Sequence, residues 1–175
     1  MAKQSRPSFA KTELLKEFNP LPKLVVFDLD LTLWAFQLDK LKKPISQHSN
    51  GIIIDSDSKV CSLYPEVEDI LTTLSNQTTL TVASRIEDIA SAYQMLQFYN
   101  ISQYFPFKEI YPCSKSVHLR RLQRRSGVKF DEMLFFDDDI RSIRLSNRIG
   151  IPAVQVIGGL TWSVVRDGLR LCLKR

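Results

Sequence analysis

The chain has 175 residues, 44% of them hydrophobic and 25% charged, with 24 Lys and Arg against 19 Asp and Glu for a formal charge of +5. That length and balance exclude a disordered polyelectrolyte and a small disulfide scaffold, and leave room for a single domain with a well-buried core. Cys61, Cys113 and Cys172 lack metal-ligand spacing and cannot all pair, which predicts a reducing, cytoplasmic setting, and no apolar run reaches the length of a membrane span.

Residues 1–20 are polar and basic and read as a tail, closing on Asn19-Pro20-Leu21-Pro22; residues 21–175 read as one domain. With one Arg and two Glu and no apolar core, the first 18 residues make neither a signal peptide nor a strong transit peptide. A first strand is expected over 23–27, where Leu24, Val25, Val26 and Phe27 form a short run suited to burial on both faces. The stretch 37–62 is irregular, with a hairpin predicted from 51–55 and 59–63 around Ser56-Asp57-Ser58. Pro65 suits the opening of a helix in which Val67, Ile70, Leu71 and Leu74 recur at helical spacing. A second strand is expected over 79–83. A helix is expected over 86–98, with Ile89, Ala90, Tyr93, Leu96 and Gln97 on its inner face and Ser84 as its cap. A short strand over 108–111 precedes a basic helix over 115–126 that Gly127 stops. Strands over 133–136 and 153–157 and helices over 140–148 and 164–173 complete an alternation that defines an α/β chain with a mainly parallel sheet.

Four of these strands are followed by polar clusters: Asp28, Asp30 and Thr32; Ser84 and Arg85; Lys115; and Asp137-Asp138-Asp139. In a parallel sheet they would meet at one edge, where open α/β folds bind ligands. Their types complement one another. Carboxylates suit a hard cation such as Mg²⁺, a hydroxyl and an ammonium suit phosphate oxygens, and a carboxylate can attack phosphorus. At least one of the three aspartates is expected to cap the helix that follows. His48 and His118 are too far apart in sequence to suggest a histidine metal site, and Trp34 and Phe36 read as packing residues.

The ordered set DLDLT, Ser84, Lys115 and Asp137-Asp138 resembles the four motifs of the haloacid dehalogenase superfamily. The segments FDLDLTLW, LYPEV, ASR, IYPCSK and FFDDD are similar to the magnesium-dependent phosphatase 1 family, over roughly residues 21–160. The resemblance implies a Rossmann-like three-layer sandwich and a Mg²⁺-dependent phosphatase acting through an aspartyl phosphate. Carried over, Asp28 is the nucleophile and a metal ligand. Asp30 is the general acid/base and lends its backbone carbonyl to the metal, and Asp138 completes the protein ligands. Ser84, Lys115 and the backbone of Leu29 hold the phosphoryl group, and Arg85 reaches the substrate. Leu31, Cys113 and Ile86 stand where the family commonly has Tyr, Gly and Thr; a Gly at 113 would tolerate a positive φ that Cys resists.

Only 31 positions separate Ser84 from Lys115, too few for a cap domain, and about 30 residues after Trp34 suffice for a hairpin flap alone. The site is therefore expected to be open to sugar phosphates, glycated-amine phosphates or phosphotyrosine on a phosphoprotein. A monomer is expected, with no membrane and no nucleic-acid partner, since no aromatic-basic interleaving accompanies the charge. Two other functions fit parts of the set: a phospho-accepting receiver-like signalling domain, and a catalytically idle binding module using the basic helix.

Overall fold

The computed structural model describes residues 15–173. Five parallel strands form the main sheet: β1 (Leu24–Phe27), β5 (Thr79–Ser84), β6 (Phe107–Ile110), β7 (Met133–Asp137) and β8 (Ala153–Gln155), in the order β6-β5-β1-β7-β8. A small antiparallel sheet is made of β2 (Ser46–Gln47), β3 (Ile53–Ile54) and β4 (Val60–Cys61). The expected hairpin is its β3-β4 pair, and β2 adds a strand that the polar segment Ser46-Gln47 gave no sign of.

Every residue of β1 is fully buried, and alternate side chains feed two separate cores. Val25 and Phe27 face one core, with Leu134 and Phe136 of β7. This core is covered by helices α1 (Val67–Ser75), α2 (Ile89–Phe98) and α5 (Trp162–Leu173). Leu24 and Val26 face the other, with Met133 and Phe135, under α3 (Lys115–Ser126) and α4 (Ile140–Arg148). The result is a three-layer sandwich, and it explains why β1 and β7 carry continuous apolar runs rather than alternating ones. Phe27 and Phe136 stack at 5.5 Å between centroids, so the two central strands are tied by side chains as well as by ladder hydrogen bonds. Gly168 of α5 lies where an added Cβ would come within 2.8 Å of Phe136, so only glycine lets that helix approach the sheet.

Two expectations are not met. Helix α2 starts at Ile89, because Asp88 rather than Ser84 caps it, accepting from the Ser91 amide at 3.0 Å and its hydroxyl at 2.6 Å. The later start rotates the buried face to Ala92, Met95 and Leu96, and leaves Ile89 and Tyr93 exposed. At Cys113 the expected backbone conflict does not arise: among the described non-glycine residues only Leu31, Ser58 and Asn100 have positive φ. Of the predicted tail, residues 1–14 lie outside the described residues, while Leu15 and Phe18 are buried in the first core. No helix among the described residues is long and apolar enough to cross a membrane.

Candidate active site

Strands β1, β5 and β7 run side by side, with Phe27 level with Val82 and Phe136. The next residues, Asp28, Ala83 and Asp137, therefore emerge together at the carboxyl ends, and the Asp28 amide donates to Phe136 O at 2.8 Å. A cavity of about 430 Å³ opens there. Its wall includes Asp28, Asp30, Ser84, Arg85, Lys115, Asp137, Asp138 and Asp139, so the four clusters read from the sequence share one site. The Leu29 side chain is buried in the core, and its carbonyl closes the turn by accepting from the Thr32 and Leu33 amides. Leu31 enters that turn at φ 57°. Ser84 is buried at the end of β5.

Lys115 is the first residue of α3, at the positive end of a helix dipole, where a cation is disfavoured. Its surroundings reverse that preference. The ammonium hydrogen-bonds Asp28 Oδ1 and Ala83 O and lies 3.0 Å from Asp137 Oδ2. Burial alone would lower the pKa of Lys115, but the two carboxylates outweigh it and hold its pKa above the ordinary lysine value. It is not a surface charge: its side chain is 5% exposed.

One ammonium does not balance the carboxylates around it. Asp28, Asp137 and Asp138 each place an oxygen within 4.8 Å of the others. Burial, then repulsion from Asp28, pushes the carboxyl of Asp138 up; burial also pushes Asp137 up, with Lys115 opposing. Asp137 Oδ2 is buried without a well-directed hydrogen bond. Surplus buried negative charge with an under-used oxygen is the donor set that a hard dication satisfies. Asp137 is otherwise engaged: its Oδ1 accepts from the Asp139 amide at 2.8 Å. Asp139 is the predicted cap, accepting from the Arg141 amide at 2.9 Å. Of the three aspartates, Asp138 is left with the least committed side chain.

Asp30 sits apart from that cluster's ammonium and, among the described residues, is met by neutral donors. Trp34 Nε1 donates to Oδ1 at 2.7 Å and the Leu38 amide donates to Oδ2 at 2.9 Å. Burial dominates over both and pushes its pKa up to about 6. Arg85, half exposed, points toward Asp139 at 3.8 Å rather than to Glu87 or Asp88. Arg141 grips Asp139 more closely, at 2.9 Å, and lines the cavity with Gln37 and Gln155. No sequence motif marks these three residues, and Trp34 is more than the packing residue that its apolar character predicts. Its four-residue offset from Asp30 within one turn was the available sign.

The chain matches the acid phosphatase family over residues 20–175. It is 37% identical over 156 residues to magnesium-dependent phosphatase 1 of Homo sapiens, covering 88% of this chain and 89% of that protein. A HAD-like hydrolase superfamily protein of Schizosaccharomyces pombe is 34% identical over 149 residues, covering 78% and 86%. A haloacid dehalogenase-like hydrolase from Xanthomonas campestris superposes with a TM-score of 0.64 at 12% identity, covering 89% of this chain and 99% of that one, a likeness of fold. Fold and site thus define a phosphatase of the haloacid dehalogenase type. Within that class the chain belongs to the acid phosphatase family, close to the magnesium-dependent phosphatase 1 proteins.

Proposed function

We propose that this chain is a Mg²⁺-dependent phosphomonoesterase that works through an aspartyl phosphate on Asp28. The observation that carries the reading is a cluster of three carboxylates at adjacent strand ends, two of them on one buried ammonium. Asp28, Asp138 and the backbone carbonyl of Asp30 would hold the cation. When bound, it would neutralise the repulsion between an anionic nucleophile and an anionic phosphate.

In the first step an Asp28 carboxylate oxygen attacks phosphorus, the bond from phosphorus to the alcohol oxygen breaks, and Asp30 gives its proton to that oxygen. Lys115, the Ser84 hydroxyl and the peptide N–H of Leu29 hold the phosphoryl oxygens as charge shifts in the transition state. In the second step water attacks the same phosphorus, Asp30 takes its proton, and the bond to Asp28 breaks to release phosphate. A carboxyl pushed up to about 6 suits both duties near neutral pH, since it holds and yields a proton readily there.

What covers the site supports a reading of the substrate class. Among the described residues, no domain lies between β5 and α3, and the sheet inserted beside the main one is β2-β3-β4. Arg85 and Arg141 at the mouth favour a phosphate carried on a polar or anionic body. Sugar phosphates, glycated-amine phosphates and phosphotyrosine on proteins all fit an open mouth of this kind. Cys61, Cys113 and Cys172, spaced without a metal-ligand pattern, suit a reducing, cytoplasmic setting.

Hydrolysis of 4-nitrophenyl phosphate tests the reading. Turnover should require Mg²⁺, vanish in EDTA, and fall by about four orders of magnitude or more in Asp28→Asn, as for removal of a nucleophile. Full turnover in EDTA, or in Asp28→Asn, would overturn it.

A further inference from the structure

We infer that Trp34 is a positioning residue for catalysis: its indole N–H fixes the Asp30 carboxyl in the orientation from which it protonates the leaving oxygen. This rests on the reading of Asp30 as the general acid.

The geometry is specific. Trp34 is fully buried, stacks on Phe36 at 5.5 Å with 3° between the planes, and meets Tyr99 at 6.2 Å. Its backbone bridges to Leu63 on one side and Asp30 on the other. The indole therefore has one place to be, and its N–H has one direction to point. That direction ends at Asp30 Oδ1, 2.7 Å away. Leu38, on the turn leading toward the small sheet, holds the other oxygen through its amide.

Each carboxylate oxygen has two lone pairs, and these donors take one on each. The transferable proton must then sit on a lone pair that neither donor occupies, on a carboxyl that lines the cavity. Neither donor is charged, so Asp30 is oriented without being locked into its ionised form by an ion pair. Packing alone would not need a donor here. A phenylalanine would fill the same stack, yet leave Oδ1 buried with one donor fewer.

The proposed role has a signature that loss of packing does not. An alkyl phosphate must expel an alkoxide, which needs the proton, whereas an aryl phosphate expels a stable phenolate that hardly needs it. The constant kcat/KM covers steps up to departure of the alcohol. In Trp34→Phe we expect kcat/KM for an alkyl phosphate to fall roughly tenfold or more, part of the 10²- to 10⁴-fold that a general acid contributes. For 4-nitrophenyl phosphate it should stay within about threefold. Breakdown of the aspartyl phosphate also uses Asp30, so rapid mixing with 4-nitrophenyl phosphate should show a burst of phenolate.

Replacing Trp34 by β-(3-benzothienyl)alanine keeps the ring system and removes only the N–H, so it carries the test if Trp34→Phe folds poorly; it should show the same selective loss. Asp30→Asn, run in parallel, separates the two ideas. Selective loss in Asp30→Asn but equal or no loss with the benzothienyl residue would overturn the role of Trp34 alone. No selectivity in either variant would overturn the acid assignment, and this proposal with it.

Discussion

The two halves of the site treat the same residue type in opposite ways. On the α3 side, Asp28 and Asp137 face a buried ammonium, and Asp138 stands beside them. In the turn after β1, Asp30 is met only by an indole N–H and a backbone amide. The first half is a charge-balancing device, with a surplus of negative charge suited to a dication. The second is a neutral cradle in which burial sets the protonation of a single carboxyl. Separating the groups that hold an anion from the group that moves a proton lets four aspartates within one small cavity do different work.

After loss of the nucleophile, the largest effect on rate should come from the aspartate that the protein itself occupies least. Asp138→Ala should cut turnover by about 10² to 10³ or more, as for loss of an electrostatic stabiliser, and abolish its response to Mg²⁺, while leaving the thermal midpoint close to wild type. Asp137→Ala should do the reverse. It removes a carboxylate 3.0 Å from Lys115 and strips the Asp139 amide of its acceptor, so stability should drop by about 1.5–3 kcal/mol with a milder loss of rate. Thermal melts and Mg²⁺ titrations of the two variants decide the matter, and the opposite ranking would mean that Asp137 is the ligand.

Lys115→Met probes the balance itself. It would leave Asp28 and Asp137 buried without a countercharge, which costs about 3–5 kcal/mol when a buried pair is broken. If the surplus charge suits a dication, Mg²⁺ should restore a larger part of the melting temperature in this variant than it adds to the wild type. An equal Mg²⁺ shift in both would show that the cation does not sense this cluster.

The first half of the site was far more legible in the sequence than the second. Each member of the charge-balancing cluster ends or directly follows a strand, or opens a helix, whose pattern is strong: LVVF before Asp28, MLFF before Asp137, and α3 beginning at Lys115 with Gly127 past its end at φ 72°. Parallel pairing then does the rest. The neutral cradle depends instead on a tight turn at Leu31 and on where an indole nitrogen points, and neither has a periodic signature. The same reason accounts for Arg141 and Gln155, which reach the cavity through the start of α4 and the end of β8. The inner face of α2 is not legible from the local pattern, because Asp39, far away in sequence, accepts from the Glu87 and Asp88 amides and shapes the approach to the helix. That interaction is tertiary, and no local rule anticipates it.

The dependence of stability on pH gives the two halves opposite signs. His118 lies one turn beyond Lys115, fully buried, with its ring 4.4 Å from that of Tyr111 and Nε2 3.1 Å from the Tyr111 carbonyl. Burial first, then the nearby Lys115 charge, lowers its pKa to about 4. An unfolded histidine titrates near 6.5, so between roughly 6.5 and 4 the unfolded chain takes up a proton that the native one refuses, and stability falls on acidification by about 3 kcal/mol at most. Asp30 works the other way. Its native pKa of about 6 lies above the ordinary 3.8, so the native state holds the extra proton and gains stability as pH falls through that window. Melting curves from pH 7 to 4.5 in EDTA should therefore diverge: His118→Phe should lose less stability on acidification than wild type, and Asp30→Asn should lose more. Parallel curves for all three proteins would mean that neither group is perturbed as its surroundings require, and the contrast between an ammonium-centred half and a neutral cradle would lose its electrostatic basis.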